Sequence, residues 1–257
     1  PMLTGSQVGE APLLLPPLEE QGAIVDFLDR ETAKIDALIE KQNELIVLLR
    51  ARRKAMVRTL LTPVEGGRTQ GRGWTSQPLK RALVSLDGMR IPLSSEERGL
   101  RQGEFPYYGA SGVIDHVGDY LFDEELVLVS EDGANLLLRS TPIAFTASGR
   151  YWVNNHAHVL RPRFGPPHFW AARIEMEDIS TFVTGSAQPK LTADALMNLR
   201  ISWPMDLGEM IEVTGQLAIE TARVDTLIAK TEEFIALAKE RRAAIITAAV
   251  TGQIDVL

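Results

Sequence analysis

Two histidines at alternate positions, His156 and His158, are the densest group of side chains in this sequence that could ligate a metal or act as a base. Alternate residues on a strand point to one face, so the two rings could share a site. A metal centre or a hydrolytic site needs further partners, and they are hard to find. The 257 residues contain no cysteine, which removes thiolate ligands and thiol nucleophiles. There is no Gly-x-x-x-x-Gly-Lys-Ser/Thr phosphate loop, no His-Glu-x-x-His helix and no Gly-x-Ser-x-Gly elbow. A stand-alone enzyme using His156 and His158 is therefore one reading. Packing or hydrogen bonding by the two rings is the other.

A second chemistry is available to polar residues that cluster with aromatics in turn-like stretches. These are Tyr107-Tyr108-Gly109-Ala110-Ser111-Gly112, Gly133-Ala134-Asn135, Gly149-Arg150-Tyr151, Asn154-Asn155 and Gly185-Ser186-Ala187-Gln188. Asn and Gln side chains match the adenine edge and Arg matches guanine. The same residue types also populate turns for backbone reasons alone, and by composition that explanation is the stronger. Net charge is −7, which argues against a protein that coats nucleic acid by itself. The charge is uneven, however. From Arg50 to Arg81 there are nine basic residues against the single acid Glu65. They could offset a helix dipole at its carboxyl end or face phosphates.

The elements that must hold these groups are announced by a repeat. Residues 31–62 and 220–251 share 14 identities in 32 positions, where about two or three are expected by chance. In each copy apolar positions advance by alternating steps of four and three. The first runs Ile24, Leu28, Glu31, Ile35, Leu38, Gln42, Leu45, Leu49, Arg52, Met56, and the second runs Val213, Leu217, Glu220, Val224, Leu227, Thr231, Phe234, Ala238, Arg241, Ile245. That period predicts two long coiled-coil helices, with Phe27, Ile39, Ile46, Ile228 and Ile235 widening the stripe. A domain lies between them, so antiparallel pairing is expected, with Glu31 opposite Arg241 and Arg52 opposite Glu220. Pro16-Pro17 and Glu19-Glu20 open the first helix. Asp206 with Glu209 reads as a capping box for the second, and Gly252 as its stop.

Between the helices, residues 64–73 read as a Gly-rich linker. The texture then changes to short strands and turns, with strands expected at 125–130, 143–146 and 158–161 and helices at 169–176 and 192–198. The fold class is α+β: a mixed domain flanked by two long helices that form an antiparallel coiled coil.

This combination resembles the specificity subunit of type I restriction-modification systems. The resemblance is carried by Pro16-Pro17-Leu18-Glu19-Glu20-Gln21 leading into the first helix. It is carried also by Phe105-Pro106-Tyr107-Tyr108-Gly109-Ala110-Ser111-Gly112, with Phe122-Asp123 and Gly133 downstream, and by Gln188-Pro189-Lys190-Leu191-Thr192 before the second helix. Pro204-Met205-Asp206-Leu207 departs from the Pro-Pro-x-x-Glu-Gln lead at the second helix.

The resemblance implies a non-catalytic reader of double-stranded DNA, with residues 1–17 closing an upstream recognition domain. It assigns 18–62 to one conserved helix, 63–206 to a target-recognition domain and 207–257 to the second conserved helix. The helices would form a spacer between two DNA half-sites. They would also dock modification (methyltransferase) subunits, which carry S-adenosylmethionine, so no cofactor is expected on this chain. A restriction (nuclease) subunit could join, and two chains could pair as a homodimer through the helices. Near DNA the expectation places Tyr107, Tyr108, Ser111, Asn135, Arg150, Asn154 and Asn155, with Lys80, Arg81 and Arg90 on phosphates. No apolar run approaches the ~20 residues of a membrane span, so the expected location is cytoplasmic.

Overall fold

The computed structural model describes residues 16–62, 73–185 and 187–256. The linker expected at 64–73, apart from Gly73, lies outside the described residues, as do Ser186 and nearly all of 1–17. In chain order the elements are α1 (Leu18–Leu61), β1 (Trp74–Pro78), β2 (Leu83–Ser85), α2 (Ser95–Leu100), β3 (Gln102–Gly109), β4 (Gly112–Val117), β5 (Phe122–Asp123) and β6 (Leu126–Ser130). There follow α3 (Asn135–Leu138), β7 (Ala144–Ala147), β8 (Arg150–Val153), β9 (Ala157–Pro162), α4 (Pro167–Met176), β10 (Val183–Thr184), β11 (Lys190–Leu191), α5 (Ala193–Asn198), β12 (Arg200–Pro204) and α6 (Leu207–Val250). Contacts divide them into a helical unit, 16–52 with 223–256, and a mixed unit, 53–222.

In the helical unit α1 and α6 run antiparallel. Asp36 accepts two bonds from the Arg242 guanidinium, at 2.8 and 3.1 Å, and Arg50 reaches Glu232 at 3.2 Å. The seam differs from the expected one by a single position at every second step. Ile35, Ile46, Leu49, Val224, Ile235, Ala238 and Ala249 are buried, whereas Leu38, Leu45, Leu227 and Phe234 are 39–50% exposed. Ile35, Gln42, Leu49 and Val224, Thr231, Ala238 keep their expected places, and the alternating partners are Ile39, Ile46, Ile228 and Ile235. A β-branched isoleucine beside the partner helix displaces the neighbouring leucine or phenylalanine to the flank. The register also corrects the expected Glu31–Arg241 pair: Glu31 turns to its own helix, 2.7 Å from Lys34 Nζ and 3.6 Å from Arg30. The Lys34 bond holds the Glu31 carboxyl below its usual range. Thr231, buried in the seam, satisfies its hydroxyl on the Leu227 carbonyl at 2.8 Å.

The helix ends follow ordinary capping chemistry. Gln21 Nε2 donates to the Pro16 carbonyl at 2.7 Å, and Glu19 and Glu20 sit at the positive end of the dipole. Asp206 accepts from the Gly208 N–H at 2.8 Å. The expected box with Glu209 is not formed, because Glu209 instead accepts the Trp74 indole N–H at 2.7 Å. At the far end Gly252 takes φ +68°, and Gln253 N–H returns to the Ala248 carbonyl, a Schellman closure that an L side chain would strain.

The mixed unit contains two four-stranded sheets, in orders β2-β9-β6-β7 and β4-β3-β8-β5. Strand β6 is buried along its whole length, and its alternation serves two cores. Val127 and Val129 face a cluster with Phe169, Trp170, Ile174 and Trp203, while Leu126 and Leu128 face Phe122, Tyr151 and Val153. This is why its sequence reads as a continuous apolar run. Helix α4 packs on β6 and β7 through Phe169 and Trp170, whose rings meet edge to face at 5.4 Å. Strands β1 and β12 pair antiparallel, Trp74 opposite Pro204, so the two ends of the domain meet. Leu61 and Met210, from the adjoining ends of the long helices, are fully buried in the same core.

Candidate nucleic-acid interface

The hairpin β3–β4 closes through a two-residue loop, Ala110-Ser111, between the opposed pair Gly109 and Gly112. Gly112 has φ +122°, and a Cβ on Gly109 would press on Ile114 at 3.1 Å, so both glycines are dictated by the turn. Two bonds fasten this tip to the rest of the domain, and a third closes the neighbouring segments at Glu131 and His156 on each other. Ser130 Oγ donates to the Ala110 carbonyl, Asn154 N–H donates to the Tyr108 carbonyl at 3.0 Å, and Glu131 N–H donates to the His156 carbonyl at 2.9 Å.

Asn154 itself is buried and accepts from the His156 N–H at 2.8 Å. This Asx turn presents Asn155 and His156 outward. His156 Nδ1 lies 2.9 Å from Asp132. The outcome is a surface of Ser111, Asn155, His156 and Asp132 beside the exposed Val113 and Ile114 of β4. The DNA major groove admits a two-stranded β-ribbon, and β4 with β3 forms the edge hairpin of its sheet. A hydroxyl, an amide and an imidazole at its edge can exchange hydrogen bonds with base edges, and an apolar Val or Ile can meet a thymine methyl.

Of the expected site residues, Ser111 and Asn155 are brought together there, with Asn154 beneath them. Others have internal partners. Tyr107 is 1% exposed, its hydroxyl accepts from Leu93 N–H at 2.9 Å, and Arg98 lies 5.1 Å above its ring. Tyr108 packs against Phe145 and Tyr151, and burial pushes its phenol up. Asn135 uses its oxygen on Ser140 Oγ and Thr141 N–H and its amide on the Thr141 carbonyl. Arg150 pairs with Asp123 at 3.1 Å over the Tyr120 ring. Lys80 and Arg81 are exposed.

Arg90 does not reach the surface as a phosphate ligand would. Its Nη1 bonds Glu131 at 2.6 Å and the Ala157 carbonyl at 2.7 Å. It belongs to a half-buried ionic cluster with Asp87, Glu131, His158 and Lys190. Burial works against ionisation of Asp87, but His158, the Val159 N–H and Arg90 outweigh it and hold the carboxyl below its usual range. Burial likewise opposes the Glu131 charge, and its bonds to Arg90 and Lys190 prevail.

The two histidines do not share a site. His158 is buried with Nδ1 2.7 Å from Asp87 and Nε2 2.8 Å from the Leu191 carbonyl, whereas His156 is exposed on Asp132. His156 precedes β9 in a turn, so strand alternation does not apply to it. Among the described residues no three His, Asp or Glu side chains converge as a metal set.

A second surface runs along the helical unit. The residues immediately preceding the seam positions lie on one flank of an antiparallel pair, and the observed ion pair Arg50–Glu232 lies on the other. The first flank carries Leu38, Leu45 and Leu48 from α1 and Leu227, Phe234 and Leu237 from α6, all 39–66% exposed. Between and beyond them stand the exposed cations Lys34, Lys41, Arg52, Arg223, Lys230 and Arg241. The internal repeat makes each α1 residue of this flank the counterpart of one in α6, so the face has near two-fold symmetry.

The mixed unit is a small α+β domain with polar loop tips, and the helical unit is a pair of long antiparallel helices. Residues 83–218, more than half of the chain, match the family model described as type I restriction modification DNA specificity domain, and the chain belongs to that family. It is 32% identical over 130 residues to a putative type I restriction enzyme specificity subunit of Haemophilus influenzae, covering 50% of this chain and 32% of that one. The type I restriction-modification S subunit of M. genitalium superposes with a TM-score of 0.57 at 15% identity, over 90% of this chain and 60% of that one. A chain from a solved type I R-M system, described for its complex assembly and conformational transition, gives 0.61 at 19% identity, over 92% and 60%. The chain thus spans about a third of its curated relative and three fifths of these structures. What the match assigns to this chain is a DNA specificity domain of the type I restriction-modification family. Among the described residues no helix is long and apolar enough to cross a membrane.

Proposed function

We propose that this chain reads one half of a bipartite DNA site with its mixed unit and docks cytoplasmic methyltransferase subunits with its helical unit. The observation that carries the docking is the two-fold flank of six exposed apolar side chains set among six cations. Monomeric surfaces rarely leave such a continuous apolar strip open. Its chemistry calls for an apolar partner surface with acidic margins, and its symmetry for two equivalents of that partner. Two copies of this chain would bring like charges together across the same face, which disfavours a homodimer through this flank. The reading of bases falls to the tip formed by Ser111, Asn155 and His156, with Val113 and Ile114 beside it. S-adenosylmethionine and methyl transfer to adenine belong to the partner.

The test is co-expression with the methyltransferase subunit of the same system, followed by mass determination and methylation of duplex DNA. The reading requires a complex with two methyltransferase subunits that methylates one defined sequence. A chain that fails to bind the subunit, or a complex that methylates without sequence preference, would refute it.

A further inference from the structure

The arginines of residues 74–204, Arg101 between α2 and β3 aside, separate into two groups. Arg90, Arg98, Arg139, Arg150, Arg161 and Arg173 each have a carboxylate within 4 Å. Arg81, Arg163 and Arg200 are exposed and have no carboxylate partner among the described residues. These three, with Lys80, are stitched into one patch by the backbone. Lys80 and Arg81 form a 3-10 turn, Leu79–Arg81, whose next residue, Ala82, accepts from the Arg163 N–H at 2.7 Å. The turn's first residue, Leu79, donates to the Leu199 carbonyl at 3.0 Å, and Arg200 stands opposite Pro78 in the β1–β12 ladder. The contacts of the side chains are to neutral groups: Arg200 to the Ser76 carbonyl at 2.7 Å and Lys80 to Asn198 Oδ1 at 2.6 Å. Asn198 in turn donates to Asp194, the nearest acid bonded into the patch.

Six arginines of this segment are held by carboxylates, whereas these four cations stand together on one corner of an acidic chain. Such a group suits a polyanion better than a single carboxylate, because each cation keeps donors free. We infer that Lys80, Arg81, Arg163 and Arg200 form a phosphate-backbone clamp for duplex DNA, with Arg163 and Arg200 as contacts additional to the turn. The inference rests on the DNA-reading role proposed above. The clamp positions the domain on the duplex and adds affinity without sequence preference, leaving discrimination to the loop tip.

The experiment uses the chain assembled with its methyltransferase subunits and follows binding of cognate and scrambled duplexes by fluorescence anisotropy from 50 to 300 mM salt. The Arg163→Ala/Arg200→Ala double variant should lower the salt slope of log K by about 2 for both duplexes, near 0.9 per phosphate contact. Binding of both duplexes should weaken equally, so their ratio stays that of the wild type. Arg163→Lys/Arg200→Lys should restore most of the slope, which a merely structural role for these residues would not explain. An unchanged slope with the wild type binding normally would overturn the clamp alone. Loss of the methyltransferase subunits from the double variant would overturn it too, marking the patch as a protein-docking surface. A wild-type complex that binds neither duplex would overturn the clamp together with the DNA-reading role.

Discussion

The Trp74 indole N–H donates to Glu209 Oε1 at 2.7 Å, joining the first strand of the mixed unit to the first turn of α6. The bond explains why Asp206 and Glu209 do not close a capping box, and it fixes where the outgoing helix begins. Glu209→Ala leaves a partly buried indole donor without its charged acceptor. The expected cost is about 1 kcal/mol, the lower part of the range for such bonds because the site is half open to water. Urea unfolding of the Glu209→Ala chain checks this, and an unchanged midpoint would mean that water replaces the carboxylate.

The corrected seam makes a paired prediction. Ile46→Ala and Ile235→Ala remove buried seam side chains and should each destabilise the helical unit by about 2 kcal/mol. Leu45→Ala and Phe234→Ala, one residue earlier, should cost less than about 1 kcal/mol because those side chains are already substantially exposed. The order reverses for docking. Leu45→Asp with Phe234→Asp should abolish co-purification of methyltransferase subunits while the helical circular dichroism of the free chain persists.

Acid should unfold the mixed unit through the cluster around His158. The carboxyls of Asp87 and Glu131 are held below their usual range in the folded chain, so the unfolded chain takes up protons first as the pH falls. Their contribution is complete above the ordinary carboxylate range, about pH 4, and is lost as the pH falls through the folded values. Urea midpoints should be flat from pH 7 to 5 and decline below about pH 4. Asp87→Asn should lower the plateau and shallow the decline; an acid limb as steep as that of the wild type would show that other carboxyls govern it.

Arg139 has φ +51°, the single non-glycine residue in the left-handed region among those described. Its guanidinium compensates by bonding the Glu175 and Glu177 carbonyls at the end of α4, at 2.8 and 2.5 Å. Arg139→Ala loses the bonds and keeps the strain, whereas Arg139→Gly loses the bonds and relieves it. The glycine variant should therefore be the more stable of the two by about 1 kcal/mol, with both below wild type. Thermal unfolding gives the ranking, and an alanine variant equal to glycine would deny the strain.

Much of the architecture is legible in the chain because it depends on short-range patterns. The strand at β6 reads from its unbroken apolar run, and the helices read from a period kept over tens of residues. The seam misleads because Leu38-Ile39, Leu45-Ile46, Leu227-Ile228 and Phe234-Ile235 are apolar doublets, and a 3.5-residue period cannot say which member of a doublet faces the partner. Exposure was legible where a turn dictates it, as at Ser111 and Asn155. The internal bonds of Tyr107, Asn135, Asn154 and Arg90 were not, because most of their partners come from other strands or loops that local sequence does not reveal. Arg163 and Arg200 carry no motif, and their common patch with Lys80 and Arg81 exists only through the β1–β12 ladder and the bond from Arg163 to Ala82.

The most direct test of base reading by the mixed unit is an exchange of residues 74–204 for the corresponding segment of a type I specificity subunit with a different target, keeping both long helices. Methylated positions are then mapped across a random-sequence duplex library using the assembled methyltransferase. The account predicts that one half-site changes to that of the donor while the other half-site stays as it was. A methylation pattern untouched by the exchange would contradict it.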